Sequence, residues 1–336
     1  MRFFELTEFG LENLQIREAE TPEPGPGQVK VRIQALSLNY RDILVIRGHY
    51  NPKLKLPTVP ISDAAGVVEA TGEGVLNLRR GDRVMSHFIS GWQEGRYRGE
   101  YLSTTLGTPG PGLAAEEIVL PETALVPCPE GYEPQEAATL PIAALTAWSA
   151  LVTEGRLEKG QTVLTLGTGG VSIFALQIAK AMGATVIITS SSHEKLERAR
   201  ALGADVGIHY VEEPAWEKKV LEATSGRGVD VVVENGGAKT LTQSLKATAA
   251  GGTVALLGAL TGLQAEINIA PIPMKRIRVA GVLVDSRAAF EKMVDFLSTH
   301  RIRPVIDRTF DFEELPAALE HMAGGRHFGK IVVRVG

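Results

Sequence analysis

The pattern of apolar and polar positions changes character partway along the chain. At 29–33, Val-Lys-Val-Arg-Ile alternates with the period of two that marks a strand with one buried face. Residues 64–70 (AAGVVEA) and 82–85 (DRVM) also read as strands, and 105–113 (TLGTPGPGL) has the composition of a loop. From about residue 133 the apolar runs lengthen. PQEAATLPIAALTAWSALV predicts a buried helix pair, or one helix broken at Pro141. Short β-branched runs then alternate with helical stretches. Strands are predicted at 163–166, 186–189, 206–209, 229–234 and 253–257, with helices at 171–182 and 193–202. Apolar strands alternating with helices imply a parallel sheet covered on both faces. VAGVLV (279–284) adds a last strand, SRAAFEKMVDFLSTH a helix and KIVVRV a C-terminal strand.

Composition bounds this picture. A chain of 336 residues suits two domains. No run approaches the roughly 18 uninterrupted apolar residues of a membrane span, and MRFFELTEFG lacks the apolar core of a signal peptide. A net charge of −4 speaks against a general nucleic-acid binder, and Lys275-Arg276-Ile277-Arg278 reads as a solvated strand edge. The single cysteine, Cys128, makes neither an intrachain disulfide nor a thiolate zinc site. No membrane association is expected, and a cytoplasmic location fits this cysteine usage.

Candidate chemistry centres on LGTGGVS (166–172), which lies between a predicted strand and a predicted helix, the context of a dinucleotide-binding turn. Gly167 permits the tight turn and Gly169 lets the backbone approach a pyrophosphate. Gly170 precedes, and Val171 opens, a helix whose N–H groups favour an anion. The third glycine of the G-x-G-x-x-G pattern is replaced by Ser172, only slightly larger. About 20 residues on, where an NAD site places a carboxylate on the ribose 2′-hydroxyl, the chain reads Thr189-Ser190-Ser191-Ser192. Hydroxyls and Lys195 suit a 2′-phosphate, so NADPH is the expected cofactor, with Ser190, Ser191 and Lys195 around that phosphate. The alternative makes the serines a helix N-cap and pairs Lys195 with a surface carboxylate.

The motifs SLNYRD (37–42), PEGYEPQEAATLPIAALTAW (129–148), LGTGGVS, ARALGAD (199–205), IHY (208–210) and HFGKIVV (327–333) resemble the medium-chain dehydrogenase/reductase superfamily, in its zinc-independent quinone oxidoreductase-like branch. The resemblance implies an α/β fold: a Rossmann domain (126–285) inserted in a discontinuous, mostly β GroES-like catalytic domain (1–125 and 286–336), with the active site at their junction. It also implies a homodimer paired through 279–284. Zinc-dependent relatives carry a cysteine where this chain has Asn39, a His-Glu pair at Ser62-Asp63 and sometimes a cysteine at Ile142. Asn and Ser are poor zinc ligands, so no metal is expected.

The resemblance further places Asn39 near the nicotinamide ribose, Thr146 beside the nicotinamide and Tyr210 against the 2′-phosphate. Asn235 and Gly258 would follow the fourth and fifth strands of the nucleotide-binding sheet, and Lys330 would approach the cofactor phosphates. Strand-end packing for Tyr210 and turn stabilisation for Asn235 remain open as alternatives. Without zinc, plain ketones are harder to reduce, whereas quinones and α,β-unsaturated carbonyls yield delocalised anions that one hydrogen-bond donor can stabilise. Tyr50 and Tyr40 are the candidate proton donors. His49 reads as a loop residue, and Phe88 and Trp92 either line an apolar mouth or pack the loop. The expected activity is NADPH-dependent reduction of a small carbonyl or quinone substrate. An enoyl-thioester reductase and a non-catalytic NADPH-binding redox sensor are the alternatives.

Overall fold

The strand-rich N-terminal stretch forms β1 (Arg2–Leu6), β2 (Leu14–Glu18), β3 (Gln28–Ser37), β4 (Asp63–Thr71), β5 (Arg83–Ser86), β6 (Glu117–Pro121) and β7 (Leu125–Pro127). The βα stretch forms β8 (Thr162–Thr165), β9 (Thr185–Ser190), β10 (Val206–His209), β11 (Val229–Glu234), β12 (Thr248–Leu256) and β13 (Arg278–Gly281). The C-terminal part adds β14 (Ile306–Asp311) and β15 (Lys330–Arg334). The computed structural model describes residues 1–258 and 260–336. The chain divides into two compact units, Met1–Ala143 with Ser286–Gly336, and Ala144–Asp285.

In the first unit a mostly antiparallel sheet runs β14-β15-β3-β4-β5-β7, with β6 also paired to β3. The alternation in β3 does what its period dictates. Val29, Val31 and Ile33 are buried, while Lys30 and Arg32 between them are not. Residues Val332 to Arg334 of β15 pair with Ser37 to Ala35 of β3, so the C-terminus completes a sheet begun by the N-terminus. This unit extends to Ala143, past residue 125, because the connection after β7 is tied back into it. The Tyr132 hydroxyl donates to the carbonyl of Ile302, and the Ile142 N–H donates to Asp63.

Pro134–Thr153 is one helical run, unbroken at Pro141, with Leu140–Ala144 and Ser149–Thr153 wound as π-helix. Pro141 has no N–H for an i−4 carbonyl, and the wider winding begins at its neighbour Leu140. The run is long and apolar enough to cross a membrane by composition alone, yet 78% of its apolar window is buried inside the protein. It is a core helix.

The second unit is a six-stranded parallel sheet of order β10-β9-β8-β11-β12-β13. Every residue of β8 is buried, which explains its lack of alternation. Strand order reverses between the neighbours β8 and β11, and ligands of such sheets bind beyond the carboxyl ends at that point. The last strand is shorter than 279–284. The Val282 N–H still reaches the Leu256 carbonyl at 2.9 Å, but Val284 turns to φ 42° and leaves the extended path.

Candidate active site

The turn after β8 has the geometry its glycines allow. Gly167 sits at φ 70°, and a Cβ there would meet nothing within 4 Å, so the backbone faces open space. Its N–H donates to Thr189 Oγ1 at 3.1 Å, which ties the turn to β9. Gly169 caps the helix Gly170–Ala181, and Gly170 and Val171 form its first turn, where N–H groups lack intrahelical partners. An open αL glycine beside a helix N-terminus fits the diphosphate of a dinucleotide.

Ser172, in place of the third glycine, is fully buried and has a use for its hydroxyl. Its Oγ donates to the Leu166 carbonyl at 2.7 Å and accepts from Asn235 Nδ2 at 2.9 Å. Asn235 Nδ2 also donates to the Leu166 carbonyl at 2.9 Å. Serine and asparagine together strut the turn against the end of β11. The amide nitrogen of Asn235 therefore braces the turn at 166–172 rather than its own ENGG stretch. Gly258 lies against the same point, since a Cβ there would stand 2.6 Å from the Asn235 carbonyl oxygen.

Ser190 ends β9 without a carboxylate. It is buried, and its Oγ accepts from the Ser192 N–H at 3.3 Å. Ser191 is exposed. Ser192 is the N-cap of the helix His193–Ala201, accepting from the Lys195 N–H at 3.3 Å, so the capping alternative holds for that serine. Tyr210 is half exposed, and its N–H donates to the Ser190 carbonyl at 3.0 Å, which keeps it beside the serines. Thr146 is buried in the Pro134–Thr153 run, within the second unit.

In the first unit, Asn39 caps the short helix Tyr40–Ile46. Asp42 in the first turn accepts the Asn39 N–H at 2.8 Å. The Asn39 side chain donates to Asp63 Oδ2 at 2.8 Å and accepts from Lys330 Nζ at 2.7 Å. Lys330 also donates to the Leu38 carbonyl at 2.6 Å and is only 3% exposed. Its ammonium lies in a buried pocket beside two carboxylates. Ser62 Oγ donates to Asp42 Oδ1 at 2.9 Å and accepts from Arg41. Burial pushes Asp42 and Asp63 above the usual carboxylate range and Lys330 below the usual ammonium range, while the opposite charges pull each back.

The three segments that hold zinc in dependent relatives, at Asn39, Ser62-Asp63 and Ile142, thus meet here, but their donors do not fit the metal. Ile142 contributes only a backbone N–H, at 3.3 Å from Asp63 Oδ2. The Ser62 hydroxyl is engaged with Asp42 and Arg41, and the adjacent buried cation, Lys330, opposes a second one. One carboxylate and an amide oxygen already bonded to an ammonium make a poor zinc site.

Tyr40 and Tyr50 are each a little over two-fifths exposed. The Arg41 guanidinium lies 4.7 Å from the ring centroids of both Tyr50 and Phe88. Nearby, Trp92 meets Tyr97 edge-on at 5.1 Å and Tyr101 at 6.4 Å, and Trp92 Nε1 donates to the Gly95 carbonyl at 3.0 Å. Burial raises the pKa of Tyr97, and Tyr50 close by adds to the rise. Tyr97 escaped sequence reading because 86–104 carries no periodic pattern. Arg41 and Asp42 were more legible, since Asn39-x-x-Asp42 has capping-box spacing.

Comparison with known proteins settles the family. Residues 25–130 match the alcohol dehydrogenase GroES-like domain, and residues 170–299 match the zinc-binding dehydrogenase family. A zinc-type alcohol dehydrogenase-like protein of Schizosaccharomyces pombe is 39% identical over 333 residues, 97% of this chain and 96% of that protein. The chain belongs to the medium-chain dehydrogenase/reductase superfamily, in its zinc-type alcohol dehydrogenase-like branch. It is an oxidoreductase of that type, built for a nicotinamide cofactor. A structure from Sinorhizobium meliloti 1021, described as an alcohol dehydrogenase, superposes with a TM-score of 0.94 at 43% identity, covering 99% of this chain and 98% of that one. An acryloyl-coenzyme A reductase of Metallosphaera sedula is 29% identical over 327 residues, 95% of this chain and 96% of that protein.

Proposed function

We propose that this medium-chain oxidoreductase reduces quinones or α,β-unsaturated carbonyls with NADPH, by direct hydride transfer and without zinc. The observation that carries the reading is the Asn39–Asp63–Lys330 cluster, which puts an ammonium and an amide where zinc-dependent relatives put metal ligands. A site lacking a Lewis acid suits acceptors whose conjugation spreads the negative charge left by hydride addition.

When bound, the nicotinamide coenzyme supplies the hydride. The chain's own residues bind, orient and protonate. The turn at Gly167 and the N-terminus of the helix Gly170–Ala181 take the diphosphate. Ser190, Ser191, Lys195 and Tyr210 take the 2′-phosphate, with no carboxylate on β9 to repel it. Asn39, fixed by Lys330 and Asp63, orients the nicotinamide ribose. Tyr50, stacked on the Arg41 guanidinium and open to solvent, gives the proton to the enolate or hydroquinone oxygen, with Tyr40 as the other donor. Fluorescence titration tests the coenzyme assignment: NADPH binds more tightly than NADH, and the reverse order rejects it.

A second reading, reduction of an enoyl thioester, is favoured by the acryloyl-coenzyme A reductase relative. It shares the conjugated carbonyl but needs cations for the coenzyme A phosphates. In the basic run at 275–278, Lys275 and Arg278 are engaged elsewhere. Lys275 Nζ donates to the carbonyls of Lys246 and Thr248 at 2.8 and 2.9 Å, and Arg278 pairs with Glu154 at 2.8 Å. Turnover of an enoyl-coenzyme A at a far lower KM than the matching free enone would favour this second reading.

A further inference from the structure

We propose that His193, His209 and Glu212 form a binding site for a divalent transition metal of the zinc type, apart from the residues around Asn39. Their ligand atoms all lie within 4.8 Å of one another. His193 Nε2 stands 2.8 Å from Glu212 Oε1, and His209 Nδ1 stands 3.7 Å from the same oxygen. Around a tetrahedral metal with bonds of about 2.0–2.1 Å, adjacent ligand atoms are about 3.3 Å apart. The observed separations bracket that value, so small side-chain rotations bring the three donors onto one ion. Two imidazoles and a carboxylate form a donor set that zinc, cobalt and nickel accept, with a position left for water.

The backbone holds the donors in place before any ion arrives. His209 ends β10 in register with Ser190 at the end of β9, and the Tyr210 N–H to Ser190 carbonyl bond of 3.0 Å locks the two strand ends together. His193 follows the Ser192 cap directly and opens its helix. The Glu212 N–H donates to His209 Nδ1 at 3.3 Å, so that nitrogen is unprotonated, and an ion that takes its lone pair displaces this bond. The two rings stack at 4.3 Å and 15°, which keeps both beside Glu212.

A plain ion pair between His193 and Glu212 is the competing account. Both side chains are more than half exposed, and such a pair contributes little stability by itself. Beyond its bond from the Glu212 N–H, the His209 ring is only 13% exposed, and its Nδ1 also stands 3.7 Å from the same carboxylate. Among the described residues no other group of His, Cys, Asp and Glu side chains converges in this way.

The test uses the full-length protein stripped with EDTA, dialysed, and titrated with zinc chloride by calorimetry and with cobalt chloride by visible absorption. The expected result is one equivalent of zinc bound in the micromolar range or tighter, and a cobalt band of nitrogen and oxygen ligation. His193→Ala and His209→Ala each weaken binding by at least about tenfold, and the double variant abolishes it. No saturable binding by the unaltered protein overturns the proposal, as does stoichiometric binding that the double variant retains. Circular dichroism checks folding. If the His209 variants do not fold, the exposed His193→Asn change decides alone: unchanged zinc affinity overturns the site.

Discussion

Lys330 donates from Nζ to Asn39 Oδ1 at 2.7 Å, and Asn39 relays the contact to Asp63, whose Oδ2 it reaches at 2.8 Å. A residue near the C-terminus thereby fixes a helix cap near the N-terminus through a fully buried carboxylate. Removing the ammonium leaves the buried Asp63 carboxylate without its main cation, while Asp42 keeps Arg41 at 3.8 Å. Lys330→Met is predicted to lower unfolding free energy by about 3–5 kcal/mol in urea denaturation, and Lys330→Arg by less. A loss below about 1 kcal/mol for Lys330→Met contradicts the pairing.

The Ser172–Asn235 contact supports a second prediction. Each of Ser172→Ala and Asn235→Ala removes buried hydrogen bonds to the phosphate turn and is expected to cost about 1–2 kcal/mol. Because the two side chains bond to each other, the double variant costs less than the sum. A double-mutant cycle on thermal or urea unfolding reads the coupling, and strict additivity refutes the strut.

These two networks show what the sequence disclosed and what it hid. The βα periodicity located all six strands of the second unit and the glycine turn, because a parallel sheet buried on both faces writes itself as β-branched runs. The resemblance named Asn39, Asp63 and Lys330, but their mutual bonds depend on β15 joining β3, a pairing across almost the whole chain. An isolated lysine in a sequence carries no sign of burial, so the 3% exposure of Lys330 is visible only in the structure. Ser172 read as a tolerated departure from glycine, since its partner Asn235 lies on another strand. Strands such as β1, β2 and β14 went unmarked, being short with no clear alternation, and Tyr97 sits in irregular chain.

His87 yields a prediction about pH. Burial pulls its pKa down from 6.5 to about 4. Its Nε2 lies 3.2 Å from the Trp92 carbonyl oxygen, and its Nδ1 is buried with no hydrogen-bond partner among the described residues. Between those two values the unfolded chain binds a proton that the folded chain refuses. Stability is therefore lost as pH falls from 6.5 towards 4, by up to about 3 kcal/mol from this group. In His87→Gln, unfolding measured across that window should show a shallower acid loss than in the unaltered protein. An identical slope assigns the acid sensitivity elsewhere.

Tyr50 stacks on Arg41 and remains open to solvent. Tyr50→Phe is predicted to lower kcat on an enone or quinone by about a hundredfold while NADPH affinity stays unchanged, as measured by steady-state kinetics and fluorescence titration. Unchanged kcat removes Tyr50 from the protonation step and passes the role to Tyr40 for the same test.

The most direct test of the central claim is NADPH oxidation followed at 340 nm across quinones, enones, enoyl-coenzyme A, aldehydes and ketones, with and without a strong metal chelator. The account predicts rapid turnover of the conjugated acceptors, little reduction of plain aldehydes and ketones, and rates the chelator does not change. Reduction confined to plain carbonyls, or turnover abolished by the chelator, would contradict it.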